Sequence, residues 1–314
     1  DVTEGLQAAL LGRSIVEHLQ VKGFCVIDPL VQDEHLETVL ADISSVEQQG
    51  RFATVPAAVL EALLGEKGSA RVADVGVSPE DALVSDTDSF ARDGTALRYF
   101  DEEFTRYAQL LAPFLEQVKL PVTSRSASLL HEAAKPKGEG PLLTEQACKK
   151  WLQLLSSHRI MCVWCLGPES GTLTLQPFGE DSEPMEVTLR PGRLVLLRAD
   201  ALSHRFSSDG CAYCLTCFFL NAIAAEQEPV SPTGIALQKW AKQRMERWKA
   251  ASEQEQRYMD LPREWEEKVN REQFNAQRIA VRSASVKQMG SDDVVSWSLA
   301  FFSCPDYALQ VPLM

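Results

Sequence analysis

Four apolar runs set close together between residues 158 and 221 constrain the fold of this chain more than any other feature. They read "RIMCVWCLG", "GTLTLQPFG", "MEVTLRPGRLVLLRAD" and "CAYCLTCFFLN", and Gly, Pro or acidic residues punctuate them. Short strands at this spacing predict a sandwich or jelly roll. One amphipathic helix, "TEQACKKWLQLLSSH", interrupts the strand-rich zone, with Thr144 placed to cap its N-terminus.

The first 120 residues carry helical periodicity instead. In "GLQAALLGRSIVEHLQVKGF", Leu6, Leu10, Leu11, Ile15 and Leu19 recur at helical spacing and Gly23 ends the helix. "GFCVIDPL" predicts a short strand stopped by Pro29. Leu36, Val39, Leu40 and Ile43 predict a second helix over 31–47, and "DEEFTRYAQLLAPFLEQV" a third, bent at Pro113. The stretch 66–98 reads as a long loop with short strands. Beyond the strands, "SPTGIALQKWAKQRMERWKAASEQEQ" and "LPREWEEKVNREQFNAQ" are charged and helical, with an apolar stripe of Trp240, Met245 and Trp248 that predicts docking on the parent domain. The expected layout is therefore 1–120 mostly helical, 121–228 a strand-rich core, 229–278 a helical connector and 279–314 a separate segment.

Composition narrows the function. A chain of 314 residues, 45% hydrophobic and 24% charged, is an ordinary globular protein of one large domain, with or without an appendage. The net charge of −13 argues against nucleic acid, which demands a concentrated basic surface. No apolar stretch reaches the ~18 residues of a membrane span. Eight Cys, several inside apolar runs, predict reduced thiols in an intracellular compartment, cytoplasmic or plastid. A start at Asp1 without a signal-like segment predicts a processed or truncated N-terminus. Walker, dinucleotide and G-x-S-x-G motifs do not occur, and Ser170 in "LGPESG" precedes a strand rather than a nucleophile elbow. Glu102 and Glu103, after Asp101, read as first-turn helix acids rather than a general-acid pair.

"KGFCVID" followed by a helix, and later "GPESGTLTLQPF…VTLRPGRLVLLRADALSHRF", resemble the prolyl-hydroxylase-like oxygenases. The resemblance covers residues 121–220 well and 20–50 loosely. It implies an α+β fold: a double-stranded β-helix (jelly roll) core with N-terminal helices and a C-terminal helical extension. It also implies Fe(II) and 2-oxoglutarate, held by a His-x-Asp or His-x-Glu pair, a distal His and a basic residue on the last strand.

His204 matches the distal ligand; the other reading is a surface or capped histidine at a strand end. The paired ligands belong in the stretch before "HRIMCVWCLG". There His131 is followed by Glu132 and Ala133, and His158 by Arg159 and Ile160, so neither has a carboxylate two residues on. Glu132, adjacent to His131, points the wrong way on an extended chain. Cys211 falls about where the basic anchor belongs. The resemblance is thus to a degenerate oxygenase, with His204 a vestigial metal position, no catalytic residue and no cofactor; the alternative is an Fe(II)/2-oxoglutarate hydroxylase with non-standard ligands. "CVWC" at 162–165 and "CAYCLTC" at 211–217 have zinc-like spacing, but on strands residues three apart face opposite ways, so these predict buried thiols.

The C-terminal "QRIAVRSASVKQMGSDDVVSWSLAFFSCPDYALQVPLM" resembles the opening strand, loop and helix of a β-ketoacyl synthase. Cys304 does not fall at that family's nucleophile position. Together the two resemblances imply a pseudoenzyme scaffold or docking region of a polyketide-synthase-like protein, as in algae and protists, whose parent would be an acyltransferase of the ketosynthase type. The implied partners are other protein domains or subunits, or the chain is a stand-alone interaction subunit.

Overall fold

The computed structural model describes residues 2–75, 95–135, 138, 140–179, 183–221 and 231–259. Segment 279–314, "LPREWEEKVNREQFNAQ" and Cys304 lie outside the described residues. The chain divides into two compact units, Asp1–Lys242 and Gln243–Met314.

Helix α1 (Val2–Val21) ends where Gly23 takes a φ of 79°, a conformation cheap only for glycine, and releases the chain into strand β1 (Phe24–Ile27). Ile15, Val16 and Leu19 of α1 are buried, but Leu10 and Leu11 of the expected apolar face are exposed. Helix α2 (Asp33–Gln48) follows, then two single turns, α3 (Ala57–Leu60) and α4 (Gly65–Gly68), and strand β2 (Arg71–Val75) inside the stretch expected to hold short strands. Helix α5 (Thr95–Gln117), which contains Pro113, closes the N-terminal half. It begins earlier than its sequence suggests because Asp42 of α2 accepts from the first amides, Ala96 and Leu97 at 2.9 and 3.1 Å.

The strand-rich zone runs β3 (Ser124–Arg125), β4 (Ser128–Ala133), α6 (Glu145–Ser157), β5 (His158–Pro168), β6 (Gly171–Pro177), β7 (Met185–Leu189), β8 (Leu194–Arg198), β9 (Leu202–Ser207) and β10 (Ala212–Leu220). Thr144 caps α6 as its sequence predicts, accepting from Ala147 N at 3.2 Å. Among the described residues every strand pairing is antiparallel. A seven-stranded sheet has the order β1-β8-β5-β10-β4-β2, with β3 also paired to β10; a three-stranded sheet has the order β7-β6-β9. The helix-rich N-terminal zone thus supplies both edges of the larger sheet, β1 and β2.

Two cores result. On one face of the large sheet, Ile160, Cys162, Trp164 and Leu166 of β5 pack with Leu194 and Leu196 against α1, α2 and α5. On the other, Met161, Val163, Cys165, Val195 and Leu197 meet Leu173, Leu175, Leu189 and Phe206 of the small sheet, with Trp151 and Leu155 of α6. Burial on both faces is why β5 and β8 read as unbroken apolar runs rather than alternating ones. The layers form a mixed helix and antiparallel-sheet sandwich.

Helix α7 (Pro232–Met259) starts in the first unit, where Leu237 is buried in the inter-sheet core and Trp240 and Ala241 pack against it. Met245 and Trp248, placed with Trp240 in one docking stripe by their spacing, belong to the second unit and are exposed. Only the first part of the stripe is core. None of the described helices is long and apolar enough to cross a membrane.

Candidate functional site

The residues that the oxygenase resemblance singles out converge on the inter-sheet layer. His204 sits in the middle of β9, and alternation along that strand sends Leu202, His204 and Phe206 to the same side, all buried. It is therefore neither a surface residue nor a strand-end cap, which corrects the simpler expectation. Its Nδ1 donates to the Leu202 carbonyl at 3.2 Å, and Nε2, equally buried, has no hydrogen-bond partner. Burial lowers its pKa, opposed by the carbonyls of Leu202, Ala62 and Leu63 and by the Glu61 charge.

His131, on β4, is completely buried and fully bonded. Leu64 N donates to Ser69 Oγ at 3.0 Å, and Ser69 Oγ lies 3.0 Å from His131 Nδ1. On the other side His131 Nε2 lies 2.8 Å from Thr216 Oγ1, which donates to the Leu129 carbonyl. One donor direction satisfies all four bonds: Ser69 donates to Nδ1, and Nε2–H donates to Thr216. The relay needs a neutral ring. Burial, and then the nearby His204, push the His131 pKa down to about 3.

His158, at the start of β5, stacks edge-on against Phe218, with ring centroids 5.8 Å apart. Its Nε2 donates to Ala199 O at 3.2 Å, leaving a buried Nδ1 without a partner. Burial lowers its pKa, opposed by the carbonyls of Ala199 and Leu155 and by the Asp200 charge, with His204 adding to the fall. Sequence reading set His131 and His158 aside for lack of a neighbouring carboxylate; their burial beside His204 carries no local signal.

The carboxylates go elsewhere. Glu132 turns to the opposite face from His131 and pairs with Arg71 of β2, which also holds Glu47 of α2. Glu61 pairs with Arg205. Asp101 accepts both Nη atoms of Arg125, at 2.9 and 2.7 Å, and the Ser128 hydroxyl, all on the helix side of the large sheet. Glu102 and Glu103 pair with Arg98 and Arg106, and since α5 starts at Thr95 they are not first-turn acids. Cys211 is exposed just ahead of β10, with no basic side chain in its place.

The backbone also departs from the expected site. The stretch that should carry the paired ligands forms β4 and then helix α6, not a further strand beside β9. The free edge of β9 is met instead by the turn between α3 and α4, where Phe206 N donates to Leu64 O at 2.9 Å. Gly68 lies so close there that an added Cβ would fall 2.8 Å from the Phe206 carbonyl oxygen.

A facial iron site needs two imidazole nitrogens and a carboxylate directed at one point. His204 Nε2 is available, both nitrogens of His131 are taken by hydroxyls, and the two carboxylates whose charges reach these rings, Glu61 and Asp200, are paired with Arg205 and Arg198. The residues present do not fit the metal. Among the described residues, no group of three or more His, Cys, Asp or Glu side chains is arranged to hold one. The C-x₂-C runs do not converge on an ion either: Cys162 and Cys217 face the helices, Cys165 and Cys214 the small sheet.

No protein-family model and no curated protein matches the sequence. Among solved structures, the chain is similar to a prolyl hydroxylase from Trichoplax adhaerens in complex with a hypoxia inducible factor oxygen degradation domain peptide. The two share 14% identity at a TM-score of 0.49, over 72% of this chain and 96% of that one. It is also similar to a Pseudomonas putida prolyl-4-hydroxylase, at 13% identity and a TM-score of 0.46, over 67% of this chain and 100% of that one. A prolyl 4-hydroxylase from Phytophthora capsici matches at 15% identity and 0.44, over 69% and 64%. At these values nothing about chemistry passes from those enzymes to this chain.

Proposed function

We propose that the chain is a non-catalytic, oxygenase-like double-stranded β-helix that serves as a scaffold or docking region. The observation that carries this reading is the bonding of His131: both ring nitrogens are committed to Ser69 and Thr216, while Glu132 is committed to Arg71 on the other face. The jelly-roll description is supported by successive strands that change sheet, β5 in the large one, β6 and β7 in the small, then β8, β9 and β10 alternating. His204 is in this reading a vestigial metal position. Its partners are other protein domains, in a polyketide-synthase-like protein to which 279–314 would belong, a context that rests on the sequence resemblance of that segment. A reducing compartment suits its thiols, which are free at every described cysteine.

Anaerobic loading of the purified chain with Fe(II), followed by metal analysis and assay of succinate release from 2-oxoglutarate, tests the reading. We expect neither stoichiometric iron nor turnover, before or after His204→Ala. Iron bound one to one and lost in His204→Ala would establish the hydroxylase with non-standard ligands instead, the reading that the unpartnered Nε2 of His204 favours. For the scaffold role, deletion of 279–314 should expose apolar surface to a dye or dissolve an oligomer. An unchanged, monomeric truncation would remove its support.

A further inference from the structure

The two C-x₂-C runs, each divergent along its own strand, meet each other across the sheet. Because β5 and β10 are antiparallel neighbours, Cys165 stands opposite Cys214 and Cys162 opposite Cys217. The two pairs are not equivalent. Cys165 N donates to Arg193 O at 3.0 Å and its carbonyl accepts from Gly192 N at 2.8 Å, so both its backbone groups face away from β10. Cys165 and Cys214 therefore occupy a non-hydrogen-bonded site of the ladder, where opposed Cα atoms are about 4.5 Å apart and side chains approach most closely. A disulfide spans Cα separations of roughly 4.4–6.8 Å. Three positions along, alternation puts Cys162 and Cys217 at the wider, hydrogen-bonded kind of site, and the Cys217 thiol is engaged by Ser126 O at 3.5 Å and Arg125 Nη1 at 3.9 Å.

We propose that Cys165 and Cys214 are a redox modification site, a dithiol that hydrogen peroxide converts to a cross-strand disulfide within the sandwich. The two thiols act on each other: Cys214 lowers the pKa of Cys165, while burial raises that of Cys214. The pair lies near the rim. The β5–β10 register breaks between Tyr213 and Cys214, Cys211 is exposed, and Pro168 and Glu169 are exposed just beyond Cys165, whose Sγ is 3.8 Å from Glu169 O. Strand ends beside such irregularities open more readily than the sheet centre.

In the first step the Cys165 sulfur attacks a peroxide oxygen, the O–O bond breaks, and hydroxide leaves as water with the Cys165 proton, giving a sulfenic acid. The Cys214 sulfur then attacks the Cys165 sulfur, the S–OH bond breaks, and a second water leaves with the Cys214 proton. Two thiols are oxidised and one peroxide is reduced to two waters.

The test is a thiol map of the full chain. Reduced native protein is treated with hydrogen peroxide, blocked with N-ethylmaleimide, unfolded and digested. The expected product is a Cys165–Cys214 cross-linked peptide pair, lighter by two hydrogens than its separate halves and released by dithiothreitol, with Cys162 and Cys217 still reduced. Cys214→Ser should lose the cross-link and leave Cys165 as a sulfenic acid trapped by dimedone; should that variant fail to fold, the wild-type map decides alone. A map with Cys165 and Cys214 both free, linked to other cysteines, or linked only after unfolding overturns the proposal.

Discussion

Both faces of the large sheet are lined by buried apolar side chains, yet they treat polar groups in opposite ways. The helix-facing layer is organised around Trp164, whose ring meets Phe100 at 4.7 Å and Phe104 at 5.9 Å, and whose Nε1 donates to Gly192 O at 2.9 Å. Its strongly polar features are ion pairs at the margins, Asp101–Arg125 and the Glu132–Arg71–Glu47 triad. Among the described residues, the inter-sheet layer holds three buried histidines, two of them with a bare nitrogen, and no ion pair is buried between the sheets with them. One face keeps its charges and satisfies them; the other keeps titratable rings and holds them neutral. The difference teaches that the first face is fixed by packing and the second by protonation state.

That contrast can be broken at several points. The largest effect should come from Trp164→Ala, which empties the centre of the helix-facing core and should cost about 4 kcal/mol in urea unfolding. A loss below about 1 kcal/mol would show that the aromatic cluster does not organise that face. Arg125→Met should cost about 3 kcal/mol, because Asp101 is left buried with its hydroxyl partner Ser128 alone; Asp101→Asn combined with it should recover part of the loss. Full additivity of the two changes would mean that the pair is not a unit.

The third effect belongs to the inter-sheet face alone. All three of its histidines have pKa values lowered by burial, that of His131 to about 3. The unfolded chain therefore takes up protons that the folded one refuses. The stability these rings contribute is complete above about pH 6.5 and is lost as the pH falls from there toward the folded values. From pH 6.5 to 5, His131 alone should account for about 2 kcal/mol, with His158 and His204 acting in the same sense. Chemical denaturation across that window measures it; stability that is flat or rises toward pH 5 would show that the rings charge in place. The smallest effect should be Thr144→Ala, about 1 kcal/mol from the lost cap of α6. A midpoint shift too small to detect would show that α6 is held by Trp151 and Leu155 rather than by its first turn.

How much of this was legible beforehand differs by level. The strands were readable because β5 and β8 are buried on both faces, and α6 because its cap and stripe are local. Sheet order was not: nothing near residues 24–27 or 71–75 says that they form opposite edges of one sheet. The early start of α5 was hidden because Asp42, its capping group, lies on another helix. At the site, adjacency correctly separated His131 from Glu132, and period-two alternation was available to bury His204 with Leu202 and Phe206. The hydroxyl partners of His131 are 62 and 85 residues away in sequence, beyond any local pattern. The cysteine pairs were half visible, since equal spacing on two neighbouring antiparallel strands brings both residues of one run opposite both of the other.

The relay through His131 also says something about time. It joins the end of α4, the middle of β4 and the middle of β10, and none of its side-chain bonds to His131 forms until those three segments are already in place. Such contacts are natural late arrivals, absent from an early, locally built nucleus. Their stabilisation would then fall on the native side of the folding barrier, slowing escape from the native state while leaving the rate of reaching it nearly untouched. A polar thread buried between the sheets would then act as a brake on unfolding, setting how long each folded molecule lasts rather than how quickly it is made.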